Sequence, residues 1–101
     1  MKEIILNDLQ KEYLLSVAHL VWWEKQEAAL NDIPFLLRQV MVYGNLQECI
    51  NMEKLFPKDY LCAVLKDAPC GQMNARSWHC WHYRLLDCNL GEVPPLPARF
   101  L

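Results

Sequence analysis

Residues 74–86 read Asn-Ala-Arg-Ser-Trp-His-Cys-Trp-His-Tyr-Arg-Leu-Leu. They hold two of the four Trp, two of the three His, one Tyr and two Arg, and no acid interrupts them. Trp78, Trp81, His82 and Leu85 recur at spacings of three and four, which places them on one side of a helix that Asn74 can cap. Large aromatics bring the most buried area per residue, and their polar edges need partners. This stretch therefore either anchors a core or makes a contact surface, and the remaining chain must supply helices to pack with it.

Helix signals recur along the chain. Asp8 is placed to cap a first helix, with Leu9, Tyr13, Val17, Leu20 and Val21 on its apolar face as far as about Trp22. His19 reads as a boundary residue. The adjacent Trp22 and Trp23 point in different directions, so at least one should pack on another element, and residues 26–30 suit one more turn. Asp32 as cap and Pro34 in the first turn open a second helix, with Ile33, Leu36, Leu37, Val40 and Met41 inward. Gly44 is expected to close it in the left-handed conformation.

Asn45 and Glu48 then have capping-box spacing, ahead of an apolar face of Leu46, Cys49, Ile50 and Met52 that stops at Phe56-Pro57. Pro57 suits the first position of the next helix. Tyr60, Leu61, Val64, Leu65 and Ala68 form its stripe, while Lys58, Asp59, Lys66 and Asp67 face water. Pro69-Cys70-Gly71 ends it. Pro94, Pro95 and Pro97 make residues 91–101 an extended tail. No segment alternates with period two over four or more residues. The expectation is an all-α fold, a compact bundle of about five short helices with an extended Pro-rich C-terminal tail, in one domain over residues 1–101.

Apolar residues make up 53% of the 101-residue chain and charged residues 22%. That is enough for a hydrophobic core without disulfides or a metal. The net charge of −2 favours neither a nucleic-acid binder nor an acidic tail. Residues 1–53 carry four basic and eight acidic side chains, and residues 54–101 six basic and four acidic. This weak dipole suits steering of a partner. Five Cys, an odd number, with no apolar signal core at Met1, are expected to be free thiols in a cytoplasmic protein. No apolar run approaches the roughly 20 residues of a membrane span.

Sites for chemistry are thin. His79, Cys80 and His82, flanked by Cys70 and Cys88, include no Cys-x-x-Cys pair, so packing is a simpler reading than zinc. Cys80 next to His79, and Ser77 with His82, point in different directions on a helix and do not make a nucleophile–base pair. Glu24 and Glu27 read as a solvated face. Three scattered Gly provide no phosphate loop. No catalytic residue, cofactor or metal is expected, and the chain does not read as an enzyme.

The two helices around Gly44-Asn45 resemble a helix-turn-helix in outline. The second offers Gln47, Asn51 and Lys54 but also Glu48 and Glu53, whose charge repels phosphate. A DNA-binding transcriptional regulator is therefore the alternative reading. Arg76, Arg84 and Arg99 are better placed to meet an anionic partner.

The chain also resembles a family of small bacterial proteins. The matching motifs are Trp22-Trp23, Ala29-Leu30, Val40-Met41 with Gly44, and Ala68-Pro69. Further along come Arg76-Ser77-Trp78, Trp81-His82, Arg84-Leu85 and the Val-Pro-Pro-Leu-Pro-x-Arg run ending at Arg99. Such proteins look like antitoxins encoded beside abortive-infection-type nucleotidyltransferase toxins. The resemblance implies a protein partner and not a reaction, with Arg76, Trp78, Trp81, His82 and Arg84 contacting that partner or holding the contact surface.

Overall fold

In the computed structural model, which describes residues 5–22, 30–89 and 91–97, five α-helices follow one another, with no strand among the described residues. They are α1 (Asp8–Val17), α2 (Ile33–Tyr43), α3 (Leu46–Leu55), α4 (Lys58–Lys66) and α5 (Ala75–Leu86), with a 3-10 turn, Ala18–Leu20, after α1. No described helix is long and apolar enough to cross a membrane. Trp23, Arg99, the Glu24/Glu27 pair and most of the expected turn at 26–30 lie outside the described residues.

Local chemistry sets the helix starts. Asn7, one residue before the expected Asp8, caps α1: its Oδ1 accepts from the Gln10 amide at 2.8 Å, and Gln10 Oε1 accepts from the Asn7 amide at 2.9 Å. Asp8 instead sits in the first turn, where its charge meets the positive end of the helix dipole. Asn45 and Glu48 form the same reciprocal box on α3. Asp32 accepts from the Phe35 amide and Asn74 from the Ser77 amide. Pro57 is the cap of α4 and not its first helical residue.

The expected inward face of α1 is corrected by the structure. Leu9 is 63% exposed, while Gln10, Tyr13, Leu14, Val17, Ala18 and Val21 are buried. Leu46 is likewise exposed on α3, where Met52 is the fully buried residue. The core is one cluster. It joins Leu14 and Val17 to Leu36, Leu37 and Val40 of α2, Met52 of α3, Leu61, Val64 and Leu65 of α4, and Trp78, Trp81 and Leu85 of α5. Each such side chain contributes about 1.5–3 kcal/mol by leaving water.

Gln10, Arg38 and Gln39 are buried as well. The last carbonyls of a helix have no partner within it, and here other elements supply donors. Gln10 Nε2 donates to Leu55 O of α3 at 2.6 Å, and Arg38 Nη1 to Val64 O of α4 at 2.9 Å. Trp81 Nε1 donates to Met41 O of α2 at 2.9 Å, and Gln39 Nε2 to Leu20 O at 3.0 Å. Among the described residues no buried side-chain nitrogen or oxygen is left without a partner.

Gly44 ends α2 with φ −67° and ψ 150°, an extended conformation and not the left-handed one expected. Glycine is needed there for space: a Cβ would lie 2.6 Å from Val40 O and 2.9 Å from Val40 Cγ1. The left-handed closure occurs instead at Asp87, with φ 51°, after α5. Beyond it the Glu92 amide donates to Asn89 O at 3.0 Å around Gly91, whose φ is +87°. Val93 and Leu96 then pack partly against the core, and Trp78 Nε1 donates to Pro94 O at 2.8 Å.

Candidate functional site

Helix α5 divides the aromatic segment between two faces. Trp78, Trp81, His82 and Leu85 are all under 5% exposed. The Trp78 and His82 rings are 4.2 Å apart, and His82 Nδ1 lies 2.6 Å from Trp78 O, which makes that nitrogen the donor. These residues can hold a surface but cannot contact a partner without unpacking. The opposite face presents Arg76, His79, Cys80, Tyr83 and Arg84 to solvent. His79 and Tyr83 stand one turn apart with rings 6.3 Å from each other.

The two arginines differ. Arg84 forms a bidentate pair with Glu53 of α3 and lies 5.7 Å over the Trp81 ring. The Glu53 hydrogen bond raises the Arg84 pKa, so it stays charged. Arg76, in the first turn, is exposed and joins no ion pair among the described residues. Eight residues separate the two, so they sit roughly 12 Å apart along the helix. A shallow depression beside Arg84 is lined by Glu53, Lys58, Leu61 and Leu85. Lys58 faces Asp87 there at 3.5 Å.

A second cleft had only one signal in the sequence, the Trp22-Trp23 pair. It is lined by Trp22, Phe35, Gln39, Tyr43, Pro69 and Gln72, with no charged side chain. Trp22 meets Tyr43 edge-on at 6.1 Å between centroids. Gln72 crosses its floor, donating to Phe35 O at 2.9 Å and accepting from Arg38 Nε at 2.7 Å. The sequence places these residues on three separate segments, and only tertiary packing brings them together.

The other constellations come apart in space. His82 turns into the core, whereas His79 Nδ1 bonds Ala75 O on the outer side of α5. Among the described residues no three His, Cys, Asp or Glu side chains gather to hold a metal. No disulfide joins any two of the five Cys, and burial pushes the Cys49 thiol up. The α2–α3 corner has helix-turn-helix order. On α3, however, Glu48 caps its own helix, Glu53 holds Arg84, and Gln47 donates to Asn51. No family model, curated protein or solved structure matches this chain.

Proposed function

We propose that the chain is an antitoxin-like interaction module of the cytoplasm, not an enzyme, that binds and restrains a nucleotidyltransferase-type toxin. The observation that supports this most is the division of α5. Trp78, Trp81 and His82 build a buried inner face that anchors the helix, and the opposite face carries Arg76 and Arg84 outward. A metal-dependent transferase gathers carboxylates around its ions, and Arg binds carboxylates through parallel charge-assisted hydrogen bonds. Arg76 is available for such contact. Arg84 already shows the geometry on Glu53, and a partner carboxylate would replace or extend that pair. Residues 93–96, which meet the bundle at Trp78 and the core, would complete the contact surface.

The test is growth of a host expressing the neighbouring gene with and without this chain, followed by co-purification. Rescue with a stable complex, weakened by Arg76→Ala, is the expected outcome. A complex indifferent to Arg76→Ala and Arg84→Ala would reject the site and keep the partner. No toxicity and no complex would reject the reading. A salt-dependent shift of upstream DNA by the chain alone would place it instead among helix-turn-helix regulators.

A further inference from the structure

We infer that Cys49 and Cys80 form an oxidation site, in which Cys80 reacts with hydrogen peroxide and Cys49 then closes a reversible disulfide with it. The Arg84–Glu53 fork joins α5 to α3 at 2.6 Å. Cys80 lies one turn before Arg84, and Cys49 one turn before Glu53. Residues four apart share a helix face, so each thiol stands on the face that carries the ion pair. Both are also tied to one end of α2. Cys49 Sγ donates to Val40 O at 3.7 Å, and Trp81, next to Cys80, donates its Nε1 to Met41 O at 2.9 Å. The two helices therefore run in parallel register here, with residue 49 opposite residue 80 as Glu53 is opposite Arg84. Electrostatic coupling agrees, linking Arg84 to both sulfurs and Cys49 to Cys80.

The two sulfurs have different roles because their surroundings differ. Cys80 is exposed and Cys49 half-buried. Burial holds the Cys49 thiol in its protonated form, with Arg84 acting the other way, so Cys80 is the one an oxidant reaches first. The Cys80 sulfur, as its thiolate, attacks one oxygen of hydrogen peroxide. An S–O bond forms, the O–O bond breaks, and the hydroxide released takes up the proton that Cys80 lost. The Cys49 sulfur then attacks the Cys80 sulfur. The S–S bond forms, the S–O bond breaks, and the Cys49 proton leaves with the hydroxide as water. The thiol pair gives up two electrons and the peroxide accepts them. A small dithiol reverses the step by exchange. The bond requires Cα atoms about 4.4–6.8 Å apart, and the ion pair one turn away already holds the two helices within side-chain reach. Closing it removes the proton that Cys49 gives to Val40 O. This chemistry does not depend on the partner proposed for the outer face of α5.

The experiment uses the full chain, reduced and then freed of reductant, with hydrogen peroxide as the probe. Remaining thiols are blocked with N-ethylmaleimide and the peptides are mapped by mass spectrometry. Each chain is expected to lose two thiols, and the main cross-link should join the peptides of Cys49 and Cys80 within one chain, reversed by dithiothreitol. Cys80→Ser should abolish that link. Cys49→Ser should strand Cys80 as the sulfenic acid, so that dimedone labels it more strongly than in the unmodified chain. Oxidation in urea is the control, and the preference for this pair should vanish once the chain is unfolded. A different main pair, a link between chains, or equal dimedone labelling of Cys80 with and without Cys49 would overturn the inference. Should Cys49→Ser not fold, the peptide map of the unmodified chain decides alone, since it needs no variant.

Discussion

The guanidinium of Arg84 forks onto the carboxylate of Glu53, Nε to Oε1 and Nη2 to Oε2, both at 2.6 Å. This ties α5 to α3 next to the Trp81 ring. The two side chains are 45% and 25% exposed, so solvent screens most of the Coulomb gain. A double-mutant cycle of Arg84→Ala and Glu53→Ala in chemical denaturation should give a coupling of about 0.5–1 kcal/mol. It should shrink in high salt. If Arg84 also meets the partner, Glu53→Ala should strengthen the complex while Arg84→Ala weakens it. Calorimetric titration of the co-purified pair would register both signs, and a parallel loss in both variants would mean that the pair acts only within the fold.

Arg38 is the most demanding residue of the interior. It is 5% exposed, donates to Val64 O and Gln72 Oε1, and its pKa is lowered by desolvation while Asp32 and Asp67 act the other way. Arg38→Met keeps an apolar stem but leaves both acceptors unpaired. The buried Val64 acceptor costs about 1–3 kcal/mol when unpaired, while half-buried Gln72 adds less, so a total loss of about 1–3 kcal/mol is expected in urea unfolding. A loss below about 0.5 kcal/mol would mean that the end of α4 needs no tertiary donor.

The sequence revealed the parts of this fold that depend on neighbours within a turn. Asp32, Asn45 with Glu48, and Asn74 cap as their spacing predicts, because a cap is a contact over three residues. The inward stripes of α2, α4 and α5 were legible for the same reason. The buried polar residues it missed are set by distant partners. Gln10, Arg38 and Gln39 look solvated in sequence, yet each is buried because a carbonyl 19 to 45 residues away needs its donor. The outward face of α5 was readable only as the complement of its inward one, and the aromatic cleft at Trp22 not at all beyond its first residue.

Gly44→Ala separates the two reasons a helix can end in glycine. Its φ of −67° suits alanine, so backbone conformation predicts a neutral change. Space predicts otherwise. The new Cβ would fall 2.6 Å from Val40 O, the carbonyl that accepts from the Gly44 amide at 2.8 Å. A loss of about 1–3 kcal/mol is expected, as for other overpacked sites, readable as a fall of several degrees in Tm. An unchanged Tm would show that the α2–α3 corner relaxes freely.

Stability should fall on the alkaline side, and Tyr13 should account for much of it. Its hydroxyl donates to Glu48 O at 2.8 Å, and burial, aided by Cys49 and Glu48, pushes its pKa well above the usual 10.0. Burial also raises Cys49 above 9.0 and Tyr60 above 10.0, in both cases against a nearby arginine. All three groups are neutral when protonated. Above their ordinary pKa values the unfolded chain releases protons that the folded chain keeps, so the unfolded state binds fewer and stability falls as pH rises. Their contribution is fully present below about pH 9 and drains away through pH 10 and beyond. Tyr13→Phe should cost about 1 kcal/mol at neutral pH through the lost hydrogen bond and flatten the decline above pH 10. Urea midpoints of both chains between pH 7 and 11 would test this, and parallel curves would mean that the Tyr13 hydroxyl ionises as readily in the folded chain as in the unfolded one.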